Sequence, residues 1–146
     1  MSILSKDRIS LKANASDKAD AIRMAGTLLV NSGCVLSPYI DGMLAREETM
    51  STSLGNGVAI PHGVFENRAH VLKTGISVLQ LVEGVPWEDD EIVYLVIGIA
   101  SSSDEHVGVL ASLAEVVEDE AKLADLLRTT DPQVVMDYLN AIQEPD

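Results

Sequence analysis

The chain has 146 residues, with 10 Lys and Arg against 23 Asp and Glu and a formal net charge of -13. That length predicts one domain around a single hydrophobic core, and that charge repels nucleic-acid phosphates and anionic lipid while favouring encounters with basic proteins. With 47% apolar but only 3% aromatic residues, the core must come from Val, Leu, Ile, Ala and Met, and platforms for base stacking are lacking, so neither DNA nor RNA is an expected partner.

The lone Cys34 excludes an internal disulfide and a multi-cysteine zinc site. In "NSGCVL" it reads as a packed thiol, since no basic cluster stands beside it to activate it. The opening "MSILSKDR" lacks the apolar core of a signal peptide, and the longest apolar run, residues 92–100, is too short to cross a bilayer. A soluble, cytoplasmic chain without membrane insertion is expected.

Residues 8–12 can form an edge strand. Ser16 precedes "DKADAIRMAGTLLVNSG", in which Ile22, Ala25 and Leu29 recur at helical spacing, acidic residues come early and Gly33 follows the end. This is a first helix. Ser37-Pro38 opens a second, a capping serine before a proline at the first helical position, with Ile40, Met43 and Leu44 on one face and an end near residues 46–48.

Residues 58–60 read as a short strand, and residues 75–82, "GISVLQLV", as a longer one closed by the turn-like "EGVPW". The run "IVYLVIGIA", residues 92–100, is apolar almost throughout, as a strand covered on both faces requires, and is the candidate central strand. After "SSSDE" the pattern is helical: Val107, Leu110, Ala114 and Val117 form one stripe, then Leu123, Leu126 and Leu127 another. Asp131-Pro132 opens a last helix with Val135, Tyr138, Leu139 and Ile142. Strands mixed with helices at both ends predict an α/β fold with helices on the two faces of a sheet.

His62 follows the short strand in "AIPHG". Pro61 biases Ile60 to stay extended, and Gly63 frees the chain to turn. From this stretch alone an exposed hinge histidine and a functional one are equally good readings. His106 stands where the central strand has ended and a helix begins, and ligands of open α/β sheets bind outside the carboxyl ends of the strands. If the two strands are neighbours, His62 and His106 converge. His70, in "NRAHVLK", has no such placement and reads as a surface residue. Arg46 lies beside Glu47 and Glu48, so a solvated ion pair at the helix end is its default role, and a phosphate clamp the alternative.

The chain has no H-E-x-x-H, no G-x-x-x-x-G-K-[ST] and no G-x-S-x-G, which leaves the imidazole itself as the reacting group. A neutral histidine is a nucleophile that can take a phosphoryl group covalently, and neighbouring positive charge from Arg46 and His106 would stabilise the dianionic product. A metal-dependent hydrolase using His62, His106 and Asp104 or Glu105 is a weaker possibility on so sparse a ligand set.

The stretches "YIDGMLAREE", "LGNGVAIPHG", "VLKTGISVLQ", "WEDDEIVYLVIGIA" and "DEHVGVLASLAEVVEDE" follow one another in an order that resembles the IIA components of the bacterial phosphoenolpyruvate-dependent sugar phosphotransferase system. The similarity is to the mannitol branch of the mannitol/fructose type and spans essentially residues 1–146 as one domain. It implies a mixed five-stranded sheet sandwiched between helices. It further implies that His62 takes a phosphoryl group on Nε2 from the histidine-containing phosphocarrier protein and donates it to a cysteine of the IIB component, after which the IIC permease phosphorylates the sugar during import. His106 and Arg46 fall on the family's second active-site histidine and its active-site arginine, and no cofactor is implied. Asp104 stands where a neutral amide is expected in mannitol relatives. Cys34 lacks IIB-like surroundings, so IIB and IIC are expected on other polypeptides. The related nitrogen-type module, which regulates partners through its phosphorylation state, is the alternative.

Overall fold

The computed structural model describes residues 4–63, 69–88, 91–101 and 105–140, with backbone alone at residues 105–110, 112 and 140. After a single 3-10 turn, Lys6–Arg8, the elements are β1 (Ile9–Ala13), α1 (Lys18–Asn31), α2 (Pro38–Thr49), β2 (Ser53–Gly55), β3 (Val58–Ala59), β4 (Gly75–Pro86), β5 (Ile92–Ala100), α3 (Glu105–Glu118), α4 (Glu120–Arg128) and α5 (Pro132–Asn140).

α1 is capped by Asp17, which accepts from the Asp20 N–H at 2.8 Å, while Ser16 turns its own N–H and hydroxyl onto the Asp20 carboxylate. It ends at Gly33, whose φ of 82° is a glycine conformation. α2 starts at Pro38 as expected, but Ser37 is itself helical and makes no side-chain cap. Its buried face carries Tyr39, Met43 and Glu47, with Ile40 and Leu44 only half-buried. The stripe is rotated from the expected one because a tyrosine and a glutamate, polar by type, find hydrogen-bond partners inside.

The strands order as β1-β4-β5-β3-β2, so β5 is the central strand, as its composition predicted. β1 pairs with β4 and β3 with β5 in parallel; β4 with β5 and β2 with β3 run antiparallel. The sheet is therefore mixed and five-stranded, and both faces are covered. Leu95, Ile97 and Ile99 of β5 pack with Leu113, Val117, Leu126, Val135 and Leu139 from α3, α4 and α5. Val96 and Ala100 face the other way, towards Ile22, Ala25 and Leu29 of α1 and Met43 of α2. Between them Gly98 lets α1 come close: a Cβ there would stand 2.6 Å from Ser77 Oγ and 3.3 Å from Ala25 Cβ. Ser77 uses that proximity to donate to the Ala25 carbonyl at 2.8 Å.

One expected boundary moves. "EGVPW" is not the turn that closes β4, because the strand continues through Pro86 and pairs Val85 with Val93 after a register shift. Gly84, with φ 70°, sits within that irregularity, so a turn-forming residue serves as a bulge instead. In the C-terminal helices, Leu123, Leu126, Val135 and Leu139 are buried and Leu127 and Tyr138 half-buried. Of the expected α3 stripe, Val117 is buried and Ala114 half-buried, whereas the side chains of Val107 and Leu110 lie outside the described residues, as does Ile142. Among the described residues no helix is long and apolar enough to cross a membrane.

Candidate functional site

The "GNGVAIPHG" stretch acquires its geometry from the sheet. Gly55, Asn56 and Gly57 turn the chain with φ of 83°, 57° and 83°, and β3 then runs alongside β5, pairing Val58 with Leu95 and Ala59 with Val96. The parallel pairing continues past the named strand. Ile99 N–H donates to the Pro61 carbonyl at 3.0 Å, and His62 bridges to Ile99. Pro61 cannot donate, but it is its carbonyl that the rung uses, so a proline is tolerated here.

His62 is therefore delivered at the carboxyl end of a strand beside the carboxyl end of β5. It is 8% exposed, which corrects the reading of an exposed hinge histidine. Its Nδ1 lies 2.8 Å from the Ile60 carbonyl oxygen. A carbonyl can only accept, so Nδ1 carries the proton and the lone pair of the neutral ring is on Nε2.

The neighbouring-strand condition set by the sequence is met: β3 and β5 are adjacent and parallel. The backbone of His106 lies at the start of α3, the helix that follows β5, while its side chain and all of Asp104 lie outside the described residues. Arg46 occupies the last turn of α2. The expected solvated ion pair with Glu47 and Glu48 gives way to another arrangement, in which Arg46 Nη1 donates to the Met50 carbonyl at 2.6 Å and closes its own helix end. Lys18 forms ion pairs with Glu88 at 3.0 Å and Glu47 at 3.7 Å. His70 is half-buried rather than a surface residue, and its Nδ1 is buried without a hydrogen-bond partner. Cys34 is fully buried, a packed thiol as expected.

Two residues around His62 were not singled out from the sequence. Tyr39, 3% exposed, donates its hydroxyl to the Ile99 carbonyl at 2.8 Å and accepts the Gly63 N–H at 2.9 Å. Burial pushes the phenol's pKa up, with the Gly63 bond pulling the other way, so the group stays a donor as well as an acceptor. Glu47, 2% exposed, accepts from Thr52 N–H at 2.9 Å, from the Thr52 hydroxyl and from the Trp87 indole at 2.9 Å. Thr52 in turn accepts the Ile60 N–H at 3.1 Å, and Ile60 holds the His62 ring. A tyrosine in a sequence so poor in aromatics was a usable signal; nothing in "REE" marked the middle residue as the inward one. Among the described residues no three His, Cys, Asp or Glu side chains are grouped as a metal site.

His62 is buried with one ring nitrogen tied to backbone, and the known proteins that match share the domain. Residues 2–142 match the family described as "Phosphoenolpyruvate-dependent sugar phosphotransferase system, EIIA 2". A multiphosphoryl transfer protein of Haemophilus influenzae is 50% identical over 128 residues, which is 88% of this chain but only 26% of that protein; the chain thus spans about a quarter of that longer relative. The mannitol-specific phosphotransferase enzyme IIA component of Geobacillus stearothermophilus is 39% identical over 142 residues, covering 97% of this chain and 98% of that one. Among solved structures, the IIA chain in the complex of mannitol enzyme IIA with phosphorylated enzyme IIB from Escherichia coli superposes with a TM-score of 0.88. It is 39% identical, over 94% of this chain and 97% of that one. The sheet order, the buried histidine and these similarities agree, and the chain belongs to the EIIA 2 family of the phosphoenolpyruvate-dependent sugar phosphotransferase system.

Proposed function

We propose that this protein is the phosphocarrier of a sugar phosphotransferase system, residues 1–146 acting as one IIA domain with Nε2 of His62 as the reacting atom. The observation that carries this reading is the 2.8 Å contact from His62 Nδ1 to the Ile60 carbonyl, which supports Nε2 as the lone-pair nitrogen of the neutral ring. The donor is the phosphohistidine of the histidine-containing phosphocarrier protein. Nε2 attacks phosphorus, a new N–P bond forms as the donor's N–P bond breaks, and that bond's electron pair returns to the donor ring. His62 keeps its Nδ1 proton against the Ile60 carbonyl, so the phosphorylated ring is cationic and a good leaving group. A cysteine thiolate of the IIB component then attacks phosphorus, the electron pair returns to Nε2, and His62 recovers its starting tautomer with no proton moved. The IIC permease completes sugar phosphorylation during uptake.

Arg46 and His106 supply positive charge to the phosphoryl oxygens, and neither a metal nor an organic cofactor enters the steps. The relay operates in the cytoplasm without membrane insertion of this chain. A net charge of -13 favours fast encounter with a basic carrier without tight binding, as a relay requires. The mannitol-specific names of the full-length relative and of the solved complex support mannitol as the sugar and IIB as the acceptor. They weigh against the regulatory nitrogen-type alternative. The separating experiment is transfer of labelled phosphoryl from this protein to a purified mannitol IIB: labelled IIB cysteine is expected, and failure with every IIB of the source cell would leave the regulatory reading standing.

Two substitutions check the supporting roles. His106→Ala still accepts the phosphoryl group but passes it to IIB roughly 10- to 100-fold more slowly, since a charge-stabilising group is removed and the nucleophile kept; stopped-flow transfer at the wild-type rate would remove His106 from the site. Arg46→Lys keeps the charge but loses the planar fork, and a several-fold slower transfer is expected. Unaltered kinetics would return Arg46 to its structural role at the end of α2.

A further inference from the structure

We infer that Tyr39 is a positioning residue for His62, its phenol oxygen reinforcing the rung between Gly63 and Ile99 at the end of the sheet. The inference rests on the reading of His62 as phosphoryl acceptor.

Residues on both sides of His62 are tied to the same residue of the central strand. On the N-terminal side the Pro61 carbonyl accepts the Ile99 N–H directly, at 3.0 Å. On the C-terminal side the Gly63 N–H reaches the Tyr39 hydroxyl at 2.9 Å, and that hydroxyl donates to the Ile99 carbonyl at 2.8 Å. Each peptide unit is planar, so pinning the carbonyl before His62 and the N–H after it restrains the two backbone dihedrals of the histidine. The Nδ1–H bond to the Ile60 carbonyl then sets the ring. Remove the phenol oxygen and the restraint on the C-terminal side weakens; the Pro61 rung stays, but His62 gains freedom about its own dihedrals and its Nδ1–H bond to Ile60 is loosened.

A phenol suits this place because it donates and accepts through one atom; phenylalanine fills the same space and does neither. The position is built for it. Tyr39 lies in the first turn of α2, its own N–H bonded to the Leu36 carbonyl at 2.9 Å, and it belongs to the same buried cluster as Ala59, Val96 and Ala100 of β3 and β5. In-line phosphoryl transfer depends on near-attack geometry, and a misplacement of about 1 Å costs about 10²-fold. A partly released histidine should lose about tenfold of that.

The test compares Tyr39→Phe with Gln80→Met in the full chain. Gln80 is an equally buried side chain whose amide donates to the Leu126 and Thr129 carbonyls at 3.0 and 2.9 Å; it stands on β4 opposite Leu95, four residues along β5 from Ile99, so its loss destabilises the fold without touching His62. Thermal melts choose a temperature at which both variants are fully folded. Two readouts follow: ¹⁵N shifts of the His62 ring in the unphosphorylated protein, and single-turnover phosphorylation over a range of donor concentration. Tyr39→Phe is expected to lower the maximal rate about tenfold at an unchanged half-saturating donor concentration and to turn the pure Nδ1–H signature into a mixture of tautomers. Gln80→Met should change neither. Wild-type rate and ring shifts in Tyr39→Phe, or an equal slowing in Gln80→Met, would overturn the inference. If the wild type takes no phosphoryl group while Tyr39→Phe still perturbs the ring, the positioning role stands and the acceptor reading fails.

Discussion

Alanine at position 62 yields a folded protein that accepts no phosphoryl group. After incubation with phosphoenolpyruvate, the general phosphotransferase Enzyme I and the histidine phosphocarrier, intact-mass measurement should find one added phosphoryl group on the wild type and none on His62→Ala. The bond to phosphorus is an N–P bond, so the added mass should be lost in acid and survive in base, the reverse of a serine phosphate. The loss is total because the substitution removes the attacking atom rather than a group that assists it. The fold survives because the hydrogen bond from the side chain to the Ile60 carbonyl is worth about 1 kcal/mol, against a domain stability of about 5–15 kcal/mol. His70 remains in the variant as an internal control. Full phosphorylation of His62→Ala would move the acceptor elsewhere, and an unphosphorylated wild type beside an active control IIA would turn attention to the binding-module reading.

The largest stability effect is expected at Glu47. Its carboxylate is the shared acceptor for Thr52 N–H, the Thr52 hydroxyl and the Trp87 indole, and alanine leaves these donors facing a cavity. A buried donor without a partner costs about 1–3 kcal/mol; the threonine hydroxyl can rotate to another acceptor but the other two groups cannot. Glu47→Ala should therefore lose about 2–4 kcal/mol in urea denaturation, a large part of the total. Glu47→Gln, which keeps one acceptor oxygen, should lose about half as much. The ion pair with Lys18 is a minor contributor, because Lys18 is partly exposed, stands 3.7 Å away and has Glu88 at 3.0 Å; Lys18→Met should cost under about 1 kcal/mol. Equal losses for Lys18→Met and Glu47→Ala would make the ion pair, not the three donors, the reason for the buried charge. Through Thr52 and Ile60 this cluster also supports the carbonyl that orients His62, so stability and site geometry are linked at one residue.

Strong local patterns were readable without coordinates. The β5 run of nine residues is apolar on both faces because helices cover both, and periodicity reports burial directly. The proline opening α2 follows from backbone chemistry alone. The bulge in β4 was misread because Gly84 and Pro86 have the composition of a turn, and only pairing with β5 tells the two apart. The inward turn of Glu47 was illegible for a related reason. A glutamate beside another glutamate at a helix end reads as solvated, and its burial depends on an indole 40 residues away.

The same division holds at the site. Sequence alone determined that His62 follows an extended strand and that His106 follows the central one, since these depend on residue type and local conformation. Only the tertiary structure decided that β3 and β5 are parallel neighbours, that His62 is buried with its proton on Nδ1, and that Tyr39 joins Gly63 to Ile99. Each of these is a contact set by how strands pair and helices pack across the sheet, and no local pattern encodes a partner 37 or 60 residues distant.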